Sequence, residues 1–350
     1  MMKLLRLAMF LGSVLLLASC GQKEAQTTEE KDTPKIALVL GFGGVDDRSF
    51  NQAGWEGFKD WGHEKGLKEK KDFLYIETNQ PQDNSTNVNQ AVENGFNTII
   101  SLSYLQADAI KEAAVANPDL DFALVDGEIE DQKNVVSATF KDQESAYLAG
   151  IAAAYTTQTN RVGFIGGMEG PVIQRFETGF ENGVKDGAKA LGKEITVDSR
   201  YAASYDAPDR GKAIASSMYE EGSDIIYQAA GSTGAGVFQE AKTRNERENS
   251  QKIWVIGVDR DQNDEGVYQT PAGQEDNFTL TSTLKNVGAA VSEIAEARYN
   301  QKFPGGDHLV FGIKEAGVDL TEGQLNEEAL QAVAKAKERI IAGDLTISEN

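Results

Sequence analysis

Polar and aromatic side chains cluster directly after an apolar run near the N-terminal end of this sequence. Two adjacent carboxylates, Asp46 and Asp47, stand beside the aromatic ring of Phe50 and the amide of Asn51. Carboxylates and amides exchange hydrogen bonds with polar molecules, and an aromatic face packs against a flat one. Capping of the next helix accounts for one of these polar residues but not for all of them. The spacing of Phe50 is as consistent with a helix core as with a ligand site. The segment therefore leaves ligand binding and local structure open as two interpretations.

Five other residues are candidates of the same kind farther along the chain, namely Asp126, Phe176, Gly231, Asp259 and Lys285. Asp126 is also a common turn residue before a glycine, and a lone lysine such as Lys285 is usually solvated. Phe176 poses the same choice as Phe50 between core and cleft. Gly231 either begins a helix or lets backbone N–H groups approach a ligand. Each residue alone is ambiguous, so its meaning depends on the elements that position it.

The surrounding elements alternate between short apolar runs and segments with helical periodicity. Ile36–Leu40, Thr98–Leu102 and Phe122–Val125 have the composition of buried strands, and the pattern restarts at Val162–Ile165. Such alternation predicts parallel sheets with helices on both faces. In sheets of this kind ligands bind at the carboxyl ends of the strands. The sequence therefore predicts an α/β protein with two doubly wound parallel-sheet domains and a ligand cleft between them.

The chain is expected to cross between the two domains several times. The helical segment Asn286–Tyr299 follows the last strand of the second half and is predicted to return to the first. The predicted N-terminal lobe comprises residues 35–142 plus about 286–302. The predicted C-terminal lobe comprises residues 143–285 plus about 303–350.

Charge and composition exclude several classes of function. The 350 residues carry 34 Lys and Arg against 55 Asp and Glu, a formal net charge of −21, which disfavours nucleic acid as a partner because its phosphates are repelled. One cysteine and two histidines exclude a disulfide framework and a cysteine-cluster metal site, and they leave little room for a histidine-based active site. The glycine-rich turns do not match the dinucleotide-binding fingerprint. These exclusions favour an acidic two-domain protein; we expect that it uses no metal or cofactor and that it is not an enzyme, since no catalytic motif supports one.

The N-terminal segment has the features of a secretion signal. Lys3 and Arg6 flank an apolar stretch that is too short for an ordinary membrane span, and Cys20 follows it. The segment resembles a bacterial lipoprotein signal with its lipobox, which implies removal of residues 1–19 and attachment of a diacylglycerol to Cys20. Two acyl chains suffice for stable anchoring, and the polar segment 20–34 is expected to be a flexible tether. We expect a protein on the extracytoplasmic face of a bacterial cell membrane, held there only by its lipid.

Five motifs in order carry a resemblance to a known family. They are DDRSFN at 46–51, RFETGF at 175–180, AGSTG at 230–234, IGVDRDQ at 256–262 and TSTLKN at 281–286. In this order and spacing, the chain resembles the basic membrane protein (BMP) family of lipoproteins, and within it the PnrA-like nucleoside receptors of ABC transporters. The resemblance extends from about residue 35 to the C-terminus.

The resemblance implies a type I periplasmic-binding fold that holds a nucleoside, purine or also pyrimidine, between its two domains. It implies that Phe50 and Phe176 sandwich the planar base. It assigns the other candidates to the polar edge of the base (Asp46 or Asp47, Asn51, Asp126) or to the ribose hydroxyls (Asp259, Lys285 and the backbone at Gly231). An uncharged nucleoside also suits a very acidic protein better than a nucleotide does.

The partners implied by the resemblance are a nucleoside ligand and an ABC transporter permease that receives it. We expect the protein to act as a monomer. A sugar or another small polar solute bound by the same fold remains the alternative, because stacking aromatics and hydroxyl-binding carboxylates serve sugars as well.

Overall fold

The computed structural model describes residues 33–247 and 251–349. The predicted leader 1–19, Cys20 and nearly all of the predicted tether lie outside these ranges. Within the described ranges, no helix combines the length and the apolar character that crossing a membrane requires.

The chain alternates between strands and helices over most of the described residues, as the sequence predicts. The strands are β1 (Ile36–Leu40), β2 (Phe73–Ile76), β3 (Thr98–Leu102), β4 (Asp121–Val125), β5 (Val135–Phe140), β6 (Arg161–Gly166), β7 (Thr196–Tyr201), β8 (Ile225–Ala229), β9 (Trp254–Gly257), β10 (Val267–Gln269), β11 (Glu275–Asn277), β12 (Thr279–Lys285), β13 (His308–Phe311) and β14 (Val318–Leu320). The helices are α1 (Phe50–Glu64), α2 (Asp83–Glu93), α3 (Ala107–Ala116), α4 (Asp142–Thr156), α5 (Pro171–Leu191), α6 (Pro208–Glu220), α7 (Gly234–Asn245), α8 (Val287–Tyr299) and α9 (Glu327–Ala342).

Two six-stranded sheets organise the molecule. The first sheet has the order β13-β5-β4-β3-β1-β2, and all of its strand pairs are parallel. The second has the order β14-β12-β9-β8-β6-β7, and only its edge pair β12–β14 is antiparallel. The central strands β1, β3 and β8 are buried along their whole length, because helices cover both faces of each sheet. The predicted fold class is confirmed.

One predicted boundary is wrong. The sequence analysis assigned the residues after about 303 to the second lobe, but β13 pairs in parallel with β5 at the edge of the first sheet. Its residues alternate between exposed and half-buried positions, as an edge strand with one solvated side does. The apolar run of this strand, residues 309–311, is too short to predict a strand by itself, and the chain returns to the second sheet at β14.

Helices α4 and α5 pack closely against each other, and this packing positions Phe176, which lies on α5. A Cβ atom on Gly183 of α5 would lie 2.1 Å from the carbonyl oxygen of Tyr147, and one on Gly150 of α4 would lie 2.2 Å from that of Phe180. Only glycine allows the two backbones to approach this closely. Helix α4 begins just after strand β5 of the first sheet. The contact therefore holds the start of α4 and the N-terminal turns of α5 in fixed register.

Candidate ligand-binding site

The carboxyl ends of the two sheets border a cavity that is partly open to solvent and has an empty volume of about 570 Å³, open solvent included. Eight of the nine residues predicted for the ligand site line it: Asp47, Phe50, Asn51, Asp126, Phe176, Gly231, Asp259 and Lys285. Asp46 is exposed and lines a separate surface depression. The structure therefore brings all but one of these residues together, and their roles in binding stay predictions.

Asp47 uses both carboxylate oxygens to cap helix α1. Its Oδ1 accepts hydrogen bonds from the backbone N–H groups of Ser49 (2.9 Å) and Gln52 (3.1 Å), and its Oδ2 accepts one from that of Asn51 (2.9 Å). Burial raises the pKa of Asp47 to about 6, although these three bonds act in the opposite direction. The capping interpretation is therefore correct for Asp47, which also contributes a wall of the cavity.

Replacing Asp47 by alanine is expected to lower the free energy of unfolding by about 1–2 kcal/mol, because three N–H groups at the start of α1 lose their acceptor. Asp46→Ala is the matched control, since it removes an adjacent but exposed carboxylate. Urea denaturation of the two variants gives the comparison. Equal destabilisation by both substitutions would contradict the capping role.

Asn51 braces the glycine turn that follows β1. Its Oδ1 accepts a hydrogen bond from the Gly41 N–H at 3.0 Å. Its Nδ2 lies within 3.1–3.2 Å of three carbonyl oxygens, those of Gly41, Phe42 and Gly44. The turn contains left-handed backbone at Gly43 and Gly44, which only glycine adopts at little cost. Asn51 thus shapes the loop that forms one edge of the cavity.

A buried lysine lies among aromatic rings at the centre of the site. Lys285, the last residue of β12, has its Nζ 5.1 Å from the ring centroid of Phe50, 5.4 Å from that of Phe176 and 5.0 Å from that of Phe140. Phe50 begins α1 beside the first sheet, whereas Phe176 belongs to α5 beside the second. Phe50 is half-buried and Phe176 is 3% exposed. Rings from both halves of the molecule therefore converge on one ammonium group.

Two aspartates hold this ammonium directly. Lys285 Nζ donates to Asp126 Oδ1 at 2.7 Å and lies 3.0 Å from Asp142 Oδ1. Burial alone would lower the pKa of Lys285, but Asp126, Asp142 and the nearby Asp259 raise it above its ordinary value. The group is a protonated hydrogen-bond donor inside a largely dehydrated cavity.

Asp126 and Asp259 occupy equivalent positions after β4 and β9, and both have left-handed backbone, with φ of 73° and 67°. Aspartate tolerates this conformation better than most residues do. Burial raises the pKa of Asp259 to about 7, opposed by Lys285 and by the hydroxyl of Ser49, which donates to Asp259 Oδ2. The Ser49 contact joins α1's first turn to the second sheet.

Two further features of the site were not predicted from the sequence. The hydroxyl groups of Tyr104 and Tyr205 lie 3.1 Å apart, and both rings line the cavity. Tyr104 follows β3 of the first sheet and Tyr205 follows β7 of the second, so the pair bridges the two halves. Asp142 and Arg175 form a buried ion pair behind Lys285. Arg175 lies in the RFETGF motif but had no assigned role, and no signal in the sequence marked the other three residues, because only the tertiary fold brings each to its partner.

A cavity between the carboxyl ends of two α/β sheets, reached by groups from both, defines a two-lobed solute-binding protein. The described residues contain no group of three or more His, Cys, Asp and Glu side chains arranged for a metal ion. Among the described residues that line the cavity, Lys285, the tyrosine hydroxyl groups and backbone N–H groups are hydrogen-bond donors, and the aspartate carboxylates are acceptors.

Comparison with known proteins identifies the family. The model of the Bmp family, described as ABC transporter substrate-binding protein PnrA-like, matches residues 34–350. The chain is 46% identical to the ABC transporter nucleoside-binding protein BmpA of Lactococcus lactis subsp. cremoris, over 97% of each chain. It is 41% identical to the CD4+ T-cell-stimulating antigen of Listeria innocua, over 99% of this chain and 98% of the relative. This chain therefore belongs to the Bmp family of ABC transporter substrate-binding proteins, as its motifs predict.

A solved structure supports the same class. The ABC transporter solute-binding protein of Aeropyrum pernix K1 superimposes with a TM-score of 0.78 at 26% identity, covering 91% of this chain and 94% of that one.

Proposed function

We propose that this protein captures a nucleoside between its two lobes and delivers it to the permease of an ABC transporter. The observation that carries the proposal is the convergence of Phe50 and Phe176, from opposite halves of the molecule, on the buried Lys285 ammonium. Two aromatic faces beside a hydrogen-bonding centre suit a ligand with a flat apolar ring attached to a hydroxyl-bearing ring. Each such aromatic contact contributes about 0.5–1.5 kcal/mol beyond the area that it buries. The name of the Lactococcus relative adds independent support.

The polar residues divide into two groups around the proposed ligand. In this arrangement Asp126 and the Asp47–Asn51 segment accept hydrogen bonds from the polar edge of the base. Asp259, Lys285 and the backbone at Gly231 hold the ribose hydroxyls, which both donate and accept. The left-handed backbone at Gly231 (φ 55°) leaves that N–H free of a side chain's obstruction.

The charge of the cavity favours a neutral ligand. Three carboxylates, Asp47, Asp126 and Asp259, line it together with one lysine. A phosphate group would enter a region with an excess of negative charge and little water to screen it. We therefore propose that nucleosides bind and their phosphates are rejected.

Closure of the two lobes is the proposed capture step. The Tyr104–Tyr205 hydroxyl pair, the contact of Ser49 with Asp259 and the hydrogen bond from Ser232 Oγ to the Gly43 carbonyl oxygen (2.9 Å) all join the first half to the second. A ligand that contacts both halves only when they meet shifts the population towards the closed form. Residues of both halves of this chain line the cavity, and the proposed working unit is a monomer.

The proposed location is the extracytoplasmic face of the membrane, with a lipid on Cys20 as the anchor. This part of the proposal depends on the sequence of the leader and on the family. Replacing Cys20 by serine is expected to release the protein from membranes into the soluble fraction, as measured by immunoblotting of fractionated cells.

A thermal-shift panel tests the function. Inosine, guanosine, adenosine, uridine, ribose and galactose would each be added to the purified protein. A nucleoside at 100 times its Kd is expected to add about 2.7 kcal/mol to the free energy of unfolding, and the two sugars are expected to leave it unchanged. Stabilisation by a sugar and by no nucleoside would overturn the proposal in favour of a sugar receptor.

The proposal also excludes turnover of the ligand. Prolonged incubation with inosine is expected to leave it intact, because the cavity's carboxylates are committed to a helix cap, a lysine and a serine rather than to an activated water. Chromatographic detection of free hypoxanthine above that of a boiled control would contradict this.

A further inference from the structure

A buried ion pair lies directly behind the cavity without lining it. Asp142, the first residue of α4, is fully buried, and Arg175 lies in the second turn of α5. Neither residue belongs to the cavity lining. Burying two charges is costly unless each has a partner, so their presence here needs a reason.

The two carboxylate oxygens of Asp142 have separate partners. Oδ2 accepts hydrogen bonds from Arg175 Nε at 3.2 Å and Nη2 at 3.0 Å. Oδ1 lies 3.0 Å from Lys285 Nζ in ion-pair contact. Arg175 therefore fixes the plane of the carboxylate, and the oxygen that remains faces the lysine of the cavity.

This arrangement determines how Lys285 can act. An ammonium group has three donor protons. Asp126 accepts one of them, whereas Asp142 Oδ1 attracts the ammonium as an ion-pair partner without accepting a hydrogen bond from it. Asp126 and Asp259 line the cavity that would hold the ligand, whereas Asp142 lies behind Lys285. Without Asp142, the ammonium would be drawn wholly to the cavity carboxylates that a ligand has to contact.

We propose that Asp142 and Arg175 are positioning residues that hold the Lys285 ammonium in the orientation that binds ligand hydroxyl groups. The inference deepens the proposed function and rests on it. Asp142 counterbalances the pull of Asp126. Arg175 fixes Asp142 and also lies 3.9 Å from Asp126 Oδ1, so an ammonium proton stays available to the sugar ring. Selectivity for ligands that carry ribose hydroxyls is then set by a pair of residues that never touch the ligand.

The location of the pair adds a second consequence. Lys141–Asp142 and Lys285–Asn286 are two of the places where the chain passes between the sheets. The Asp142–Lys285 contact joins these two crossings directly. Ligand binding at Lys285 is therefore coupled to the segments that connect the two sheets, about which the proposed closure of the lobes would occur.

Calorimetric titration of the full chain with inosine and with 2′,3′-dideoxyinosine tests the inference, because the second ligand lacks the ribose hydroxyls at those positions. Asp142→Asn is expected to weaken inosine binding about tenfold or more, the usual effect of losing a charged hydrogen bond, and to change dideoxyinosine binding much less. Lys285→Met should show the same selectivity pattern. Asp198→Asn is the matched control, since it breaks the Asp198–Arg200 ion pair on β7, away from Lys285.

Arg175→Lys is the second variant, and it keeps the charge while losing the two-nitrogen contact. It should shift the inosine affinity in the same direction by a smaller factor, and it keeps the test available if Asp142→Asn does not fold. Equal losses for both ligands in whichever variant folds would mark the pair as structural and overturn the inference, while the proposed function would stand. Failure of the unsubstituted protein to bind either ligand would overturn both.

Discussion

Replacing Lys285 by methionine is expected to lower the free energy of unfolding by about 3–5 kcal/mol and to remove most nucleoside affinity. The substitution preserves most of the side chain's volume but removes the cation that pairs with Asp126 and Asp142. Removing one partner of a buried ion pair leaves an uncompensated charge, and that charge is the source of the predicted loss. Arg175 would remain beside these carboxylates, 3.9 Å from Asp126 and 3.0 Å from Asp142.

Lys337→Met is the matched control for this prediction. Lys337 contacts both oxygens of Asp319 at 2.6 and 2.7 Å, but both side chains are more than a third exposed, and such pairs contribute less than about 1 kcal/mol. Chemical denaturation measures both variants under the same conditions. Comparable stability of the two variants would show that the ion pairs of Lys285 with Asp126 and Asp142 do not stabilise the fold as predicted.

Nucleoside binding by the same variant separates the base from the ribose. If Lys285 contacts the hydroxyls, Lys285→Met should weaken inosine binding more than hypoxanthine binding. An equal loss for both would refute the ribose role.

Asp259→Asn is expected to stabilise the protein at pH 8 while weakening ligand binding. The pKa of Asp259 is raised to about 7 by burial, so the folded protein holds its proton over a range where the unfolded chain has lost it. A raised carboxyl pKa makes stability fall as pH rises from about 4 to 7, after which the penalty is constant. The full penalty is on the order of 4 kcal/mol, and asparagine removes it because it carries no charge in either state.

The stability gain should therefore depend on pH in a defined way. Denaturation at pH 8 is expected to show the full difference between Asp259→Asn and the unsubstituted protein, and at pH 4 the difference should nearly vanish. A gain that stays constant from pH 4 to pH 8 would show that the charge on Asp259 is not its cause. Nucleoside titration at pH 8 checks the expected loss of binding that accompanies the gain.

The fold was predictable where the signal is local. Ile36–Leu40 and Thr98–Leu102 are continuous apolar runs, and the structure has strands with those bounds. The alanine-rich segment before Pro118 predicts a helix over Ala107–Ala116, and the structure has a helix with those bounds. The edge strand β13 was missed because pairing with β5, rather than its own composition, makes it a strand.

The residues that form the site were predictable from the sequence, but the contacts that each of them makes were not. Strand ends identified Asp126 and Asp259 because parallel strands deliver the residues after them to one edge. The commitment of Asp47 to three backbone N–H groups, and of Asn51 to the glycine turn, arises from contacts that spacing along the chain does not show. Arg175 belongs to the RFETGF motif, but its partner Asp142 lies 33 positions away along the chain. Only the packing of α4 on α5 brings the two residues together.

A crystal structure of the protein with inosine tests the central claim most directly. We predict that the base lies between the rings of Phe50 and Phe176, with the ribose hydroxyls within hydrogen-bond distance of Asp259 and the Lys285 ammonium. Inosine bound outside this cavity, or bound within it with the base away from both rings, would contradict the account.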